Sequence, residues 1–211
     1  MSKSRFSEFL TVDNSVLVLI DHQTGLLASV RDIEPDLLRT NMKALVKMAK
    51  AADIPVIVTS SMPDGPNGPF LQELLDIVPE AEYIRRPGEI NAWDNPDFKA
   101  AIEKTGRKKV IMAGIVTDVC LMFPAISAVA DGYDPYAIID ASGTWNKLVQ
   151  EVTIHRLAQA GVKVSTWASA LAEMMHDWRS DKAYPLAGVL SEHTSYGLVY
   201  ESFLATQKQE A

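Results

Sequence analysis

Cys120 is the single cysteine among the 211 residues of this chain, in the stretch GIVTDVCLMFPA. Proline is tolerated in the first turn of a helix but costs about 3 kcal/mol in its interior, so Pro124 predicts a helix that begins close to Cys120. A cysteine at a helix N-terminus lies at the positive end of the helix dipole, which favours the thiolate and lowers the thiol pKa. This placement predicts a nucleophile. The alternative is a buried, inert thiol, because lone cysteines are common in protein cores.

Two charged residues lie at the ends of other apolar runs and could assist catalysis by such a thiol. Asp21 follows SVLVLI and could take the thiol proton, whereas Arg86, in YIRRPGEINAWDN, could stabilise the thiolate. Each also has a simpler interpretation. Asp21 could cap a turn or helix, and Arg85 and Arg86 could be a solvated pair.

The apolar runs themselves predict the elements that position these residues. Strands buried on both faces are predicted at 15–20, 55–60, 109–115, 136–140 and 162–167, and a weaker strand at 82–86. Helical spacing is found from Pro35 onward, at 95–104 and at 147–160, where Gly161 ends the pattern. This alternation predicts an α/β fold with a parallel sheet covered by helices on both faces. Ligands of such sheets bind beyond the carboxyl ends of the strands, where the three polar residues lie.

Composition narrows the class of protein. The chain is 47% hydrophobic and 22% charged, shows no linker-like change of composition, and is long enough for one large domain. Its net charge of −7 argues against a nucleic-acid partner. No apolar stretch approaches the ~18 residues of a membrane span, and one cysteine cannot form an internal disulfide. We therefore expect a soluble, cytoplasmic protein with no membrane partner.

Three motifs together resemble the isochorismatase-like cysteine hydrolases. They are VLVLIDHQTGLL, RRPGEINAWDNPDF and MAGIVTDVCLMFPA, in that order, and the similarity covers most of residues 15–178. The shorter stretches DIEPD, GPNGP, NAWDN, DASGT and HDWR resemble the YcaC-like branch of that superfamily. The resemblance implies a three-layer α/β/α fold with a six-stranded parallel sheet of Rossmann-like topology.

The resemblance also implies the roles of individual residues. The catalytic triad of the family corresponds to Asp21, Arg86 and Cys120, although lysine is commoner than arginine at the second position. A non-proline cis peptide is implied between Ile115 and Val116, and the backbone N–H groups of Val116 and Cys120 would form an oxyanion hole. The implied chemistry is acyl transfer from a small amide-like substrate through a thioester.

Pocket and cofactor assignments are less specific. Candidate pocket residues are Gln23, Asn91, Trp93, Phe123 and Trp145. Nicotinamidases of this superfamily carry a metal site after the second strand, but TSSMPDGPNGP contains no histidine here. The four histidines show no paired ligand spacing, so we expect no metal and no cofactor, and His22 is interpreted as a structural residue.

The end of the chain has a different character. We assign residues 1–180 to the hydrolase domain and 181–211 to a C-terminal extension that packs on the domain or on a neighbouring subunit. Relatives are commonly oligomeric, so we expect a homo-oligomer larger than a dimer. Two alternative functions stay open at this point: a redox-active thiol protein and a non-catalytic assembly protein on the same fold.

Overall fold

The computed structural model describes residues 7–207, so the outermost parts of both domain assignments, 1–6 and 208–211, lie outside the described residues. A parallel sheet of six strands forms its centre: β1 (Ser15–Ile20), β2 (Val56–Ser61), β3 (Glu82–Arg86), β4 (Lys109–Gly114), β5 (Asp134–Ile138) and β6 (Lys163–Ser165). The strand order is β3-β2-β1-β4-β5-β6, with every pair parallel. The three-layer α/β/α fold is thus confirmed.

The strands differ in burial according to their place in the sheet. All six residues of β1 and of β4 are buried, because neighbours pair on both sides and helices cover both faces. The expectation that 162–167 is fully buried is wrong. Only residues 163–165 form β6, and they are exposed or half-buried because β6 lies at the edge of the sheet.

Helices cover the two faces in separate groups. The helices are α1 (Thr24–Leu27), α2 (Pro35–Ala52), α3 (Gln72–Leu75), α4 (Pro96–Lys104), α5 (Met122–Ala130), α6 (Lys147–Gln159), α7 (Trp167–Met175), α8 (Ala183–His193) and α9 (Tyr196–Gln207). Apolar side chains of α2, α7 and α8 form one core with the sheet, and those of α4, α5 and α6 form the other. None of the helices within residues 7–207 is long and apolar enough to cross a membrane.

The strand order itself determines where a site can form. β1 and β4 are adjacent, and the chain leaves them in opposite directions along the sheet, toward β2 and toward β5. Loops after these two strands therefore diverge and leave a crevice at their carboxyl ends. The segments after β1 and β4 contain Asp21 and Cys120.

Candidate active site

Asp21 lies directly after β1 in an uncommon backbone conformation. Its φ is +57°, a left-handed value that aspartate tolerates better than most residues. Its backbone N–H donates to the Thr59 carbonyl at 2.8 Å, which ties the end of β1 to β2. The side chain is 1% exposed, so the carboxylate depends on protein groups for its hydrogen bonds.

Arg86, the last residue of β3, reaches across β2 to this carboxylate. Its Nη2 donates to Asp21 Oδ1, its Nε donates to Thr59 Oγ1 at 3.0 Å, and its Nη1 donates to the Glu89 carbonyl. The neighbouring Arg85 points to the other face of the strand, is exposed, and pairs with Asp64 at 2.6 Å. Three hydrogen bonds hold the buried guanidinium as a fixed positive charge.

Cys120 belongs to a single π-helical turn, Thr117–Leu121, that precedes α5. The helical segment thus begins three residues before the cysteine, near the place that Pro124 predicts. Gly114 lets the end of β4 lie close to the turn that contains Cys120, because a Cβ at residue 114 would lie 2.9 Å from the Leu121 backbone nitrogen. The predicted cis peptide between Ile115 and Val116 is confirmed.

The three side chains form one buried, interacting group. The Cys120 thiol interacts with the Asp21 carboxylate, which accepts a hydrogen bond from Arg86. The Val116 backbone N–H also interacts with the sulfur. Cys120 is 8% exposed, whereas Asp21 and Arg86 are each 1% exposed, so the sulfur is the most accessible member of the group.

The expectation of a lowered thiol pKa is wrong. Burial raises the pKa of the Cys120 thiol well above its ordinary value, and the negative charge and hydrogen bond of Asp21 act in the same direction. The Val116 N–H and Arg86 oppose this rise. Burial likewise raises the pKa of Asp21, with the charge of Arg86 as the main opposing influence. The thiol therefore keeps its proton at neutral pH, beside a carboxylate that can accept it.

The two proposed oxyanion donors differ in their hydrogen bonds. The N–H of Cys120 donates to the Val116 carbonyl at 2.8 Å, as part of the helical turn. It is thus not a free donor in this state. The N–H of Val116 interacts with the sulfur, which places it close to any carbonyl that the sulfur would attack.

Three of the five candidate pocket residues are occupied with structural contacts. The Gln23 amide donates to the carbonyls of Ser61 and Gly68 and accepts from the Ser61 N–H, so it shapes the loop after β2. Asn91 caps the short turn that contains Trp93, with its side chain accepting from the Trp93 N–H at 3.1 Å.

Trp93 is itself buried, and its indole N–H donates to Asp131 at 2.8 Å. Phe123 is partly buried under the Arg156 guanidinium, whereas Trp145 is 44% exposed. Of the candidate pocket residues, Trp145 is thus the most exposed.

Sequence reasoning missed one group that completes the site. Thr59 holds both Asp21 and Arg86, and its place at the carboxyl end of β2, in PVIVTSS, was the available signal. A cavity of about 660 Å³ at the end of β3 is lined by Met62, Pro63, Asp64, Gly65, Arg85, Arg86 and Pro87, and neither Asp21 nor Cys120 belongs to its lining. Among residues 7–207, no cluster of three or more histidine, cysteine, aspartate or glutamate side chains is placed to hold a metal ion.

His22 lies next to Asp21 but points away into the core. Its Nε2 donates to the Ala141 carbonyl at 3.1 Å, and burial lowers its pKa to about 4. The imidazole of His22 is therefore neutral, and its Nε2–H is already used as a donor. These properties fit a structural role and not the role of a base.

His22 should make the protein sensitive to acid. The unfolded chain binds a proton near pH 6.5, whereas the folded chain does not until about pH 4. Stability is therefore lost as the pH falls through this window, by about 3 kcal/mol in total. Glutamine keeps a donor for Ala141 but does not titrate, so urea unfolding of His22→Gln should show a smaller loss between pH 7 and pH 4.5. Parallel pH profiles for the two proteins would contradict this assignment.

Comparison with known proteins agrees with this geometry. The model of the isochorismatase family, described as "Isochorismatase domain", matches residues 15–169. The probable hydrolase YcaC of Escherichia coli is 46% identical over 184 residues, which cover 87% of this chain and 88% of that protein.

Two solved structures are similar over nearly the whole chain. A YcaC structure from Pseudomonas aeruginosa, with hexane-2,5-diol and covalent acrylamide, has a TM-score of 0.91 and 41% identity, covering 96% of this chain and 99% of that one. The Escherichia coli YcaC structure, described as an octameric hydrolase of unknown specificity, has a TM-score of 0.90 and 41% identity, covering 100% of both chains. The chain therefore belongs to the isochorismatase family of hydrolases.

Proposed function

We propose that this protein is a cysteine hydrolase that cleaves a small amide-like substrate through a thioester intermediate. The observation that carries the proposal is the buried group of Cys120, Asp21 and Arg86, in which the carboxylate interacts with both the thiol and the guanidinium. A nucleophile, a proton acceptor and a fixed positive charge in contact are the parts that acyl transfer by a thiol requires.

The first half of the reaction begins with a proton transfer. Asp21 takes the thiol proton as the Cys120 sulfur attacks the carbonyl carbon, which forms a C–S bond and moves the carbonyl electron pair onto oxygen. The Val116 N–H stabilises that oxyanion. Asp21 then returns the proton to the nitrogen as the C–N bond breaks, so the amine leaves neutral and the acyl group stays on sulfur.

The second half releases the acid. Asp21 removes a proton from water as the water oxygen attacks the thioester carbonyl. The C–S bond breaks, and the sulfur regains its proton from Asp21. A carboxyl whose pKa is raised by burial suits both steps, because it must accept and return a proton near neutral pH.

Arg86 takes no part in proton transfer, because arginine stays charged at working pH. Its guanidinium holds the Asp21 carboxylate in place and keeps it ionised in a buried setting, against the cost of desolvation. The three hydrogen bonds of Arg86 need a forked donor group, which lysine lacks.

A small substrate is supported by a relative. The YcaC structure from Pseudomonas aeruginosa contains covalent acrylamide, a thiol-reactive small amide. The high pKa of the thiol counts against the redox alternative, because peroxide reacts with thiolate.

We also propose a homo-oligomer larger than a dimer and a cytoplasmic location. The octameric state described for the Escherichia coli YcaC structure supports the first proposal. A reducing compartment suits a nucleophile that must keep its thiol, and that has no second cysteine in the chain with which to pair.

A screen of small amides, ureas and carbamates tests the proposed function. Released amine or ammonia is measured, and mass spectrometry of quenched reactions detects the acyl group on Cys120. We expect turnover and acylation in the wild type and neither in Cys120→Ala. Turnover that persists in Cys120→Ala would rule out the thioester route.

A further inference from the structure

The stretch DASGT, at 140–144 just after β5, contains no group that the proposed reaction uses. Its last four residues, 141–144, are all buried. We call these four residues the clasp. Each of them forms a hydrogen bond either with the segment after β1 or with residues at and beyond the end of β4. These are the two segments that carry Asp21 and Cys120.

One bond of the clasp fixes the segment after β1. The Ala141 carbonyl accepts from Nε2 of His22 at 3.1 Å, and His22 directly follows Asp21 in the chain. A second bond fixes the end of β4, since the Ser142 hydroxyl oxygen accepts from the Gly114 N–H at 3.0 Å. Neighbouring residues of the clasp thus hold the two strand ends between which the site lies.

Two further bonds reach the turn that contains Cys120. The Gly143 carbonyl accepts from the Thr117 N–H at 3.0 Å. The Thr144 hydroxyl donates to Oδ1 of Asp118 at 2.7 Å, two residues before the cysteine. Of the four bonds, this last one alone joins two side chains, so a substitution can remove it without disturbing a backbone group.

The clasp is itself fixed to the body of the protein. The Thr144 N–H donates to Oδ1 of Asp32 at 2.7 Å, and Oδ2 of the same carboxylate accepts from the Gln150 amide at 2.9 Å. Asp32 is 2% exposed, so these bonds are protected from water. The Ser142 hydroxyl donates to the Ile138 carbonyl at 2.8 Å, which ties the clasp back to β5. The clasp therefore has little freedom to move.

We propose that the clasp sets the position of the Cys120 turn relative to Asp21, and that Thr144 is a positioning residue for the reaction. Thr144 touches neither the sulfur nor the carboxylate of Asp21 and acts through Asp118. A displacement of about 1 Å at a reacting group can cost about 100-fold in rate. The expected effect on rate rests on the proposed function, whereas the position of the thiol can be measured without a substrate.

The substitution Thr144→Val tests this role, because valine keeps the shape of threonine and lacks the hydroxyl. We expect the Cys120 thiol to move away from Asp21. Burial and Asp21 both raise the pKa of the thiol, so the midpoint of iodoacetamide labelling against pH should fall toward that of a free cysteine. With an amide substrate, kcat should fall by up to about 100-fold at an unchanged KM. Thr144→Ser keeps the donor and should restore both values.

The matched control is Thr105→Val, which removes a hydroxyl hydrogen bond of the same 2.7 Å length at the C-terminal end of α4. It should keep the wild-type midpoint. A second pair of variants tests the contact from its other partner, at a half-buried position. Asp118→Asn and Asp118→Ala both remove a charge, but only asparagine keeps an acceptor oxygen, so the midpoint should fall further in Asp118→Ala.

The role of Thr144 would be overturned by an unchanged midpoint in Thr144→Val or by an equal shift in Thr105→Val. Equal midpoints in Asp118→Asn and Asp118→Ala would overturn it as well, even if Thr144→Val failed to fold. A wild type that turns over no amide would reject the proposed function, and the labelling midpoints would still decide whether the clasp positions the thiol.

Discussion

Asp21→Asn should lower the turnover of any amide substrate by about 10²–10⁴-fold, the usual contribution of a general acid–base group. Asparagine has nearly the shape of aspartate and tolerates the left-handed backbone found here, so the loop after β1 should keep its path. Its amide cannot take the thiol proton or return it to the leaving amine. We therefore expect the chemical step to fail while the site stays assembled.

The same substitution should make Cys120 easier to alkylate. The charge of Asp21 and its hydrogen bond both raise the pKa of the thiol, and Arg86 opposes them. Without the carboxylate, Arg86 is an uncompensated positive charge near the sulfur, so the pKa of the thiol should fall. The rate of iodoacetamide labelling against pH measures this shift.

Asp21→Asn should lower turnover and make Cys120 easier to alkylate. These opposite effects distinguish the loss of a proton acceptor from general damage to the site. A misfolded site would lose turnover without a systematic fall of the labelling midpoint. In the wild type we expect that midpoint above the ~8.5 of a free cysteine. A wild-type midpoint below that value, or a midpoint in Asp21→Asn above that of the wild type, would contradict the neutral-thiol resting state.

Arg86→Ala should destabilise the fold by about 3–5 kcal/mol, because it leaves the buried carboxylate of Asp21 without its positive partner. In this variant, protonation of Asp21 stabilises the folded chain, and the pKa of Asp21 should rise further. Below this raised pKa the folded state binds a proton that the unfolded state, with an ordinary pKa of ~3.9, does not yet bind. The loss of stability should therefore shrink as the pH is lowered. Urea unfolding at several pH values measures it.

Substitutions at and around Arg86 with smaller expected losses of stability are the controls for Arg86→Ala. Arg85→Ala removes an exposed partner of Asp64 and should cost no more than about 1 kcal/mol. Thr59→Val removes only the acceptor of the Arg86 Nε–H and should cost about 1–3 kcal/mol. Arg86→Lys keeps the charge but loses the forked contacts, so its stability should lie between those of the wild type and Arg86→Ala. Equal losses of stability in Arg85→Ala and Arg86→Ala would show that the ion pair of Arg86 with Asp21 is not the stabilising one.

Much of the site was predictable because local rules govern it. The strand at 82–86 alternates its side chains, so only one of Arg85 and Arg86 could face the sheet core near Asp21. Pro124 placed the start of the helical segment near Cys120. Strand polarity then placed the ends of β1, β3 and β4 at one edge of the sheet.

The wrong and missed assignments share a different physical origin. The thiol pKa depends on desolvation and on the Asp21 charge, and both are properties of the packed site and not of a helix end. Gln23 was a natural pocket candidate from its place beside Asp21, but its amide is used by the backbone of the loop after β2. Which hydrogen-bond partners a polar side chain finds is not encoded in its own segment.

By itself, the amino-acid sequence determined the order and polarity of the elements, because apolar spacing, proline and glycine act within a few residues of chain. It also determined which residue types meet at the carboxyl edge of the sheet. Only the tertiary structure decided that the thiol is protonated, that Thr59 joins Asp21 to Arg86, and that α9 leaves its apolar surface uncovered. These properties depend on burial and on contacts between residues far apart in the chain, which come into existence only when the elements pack.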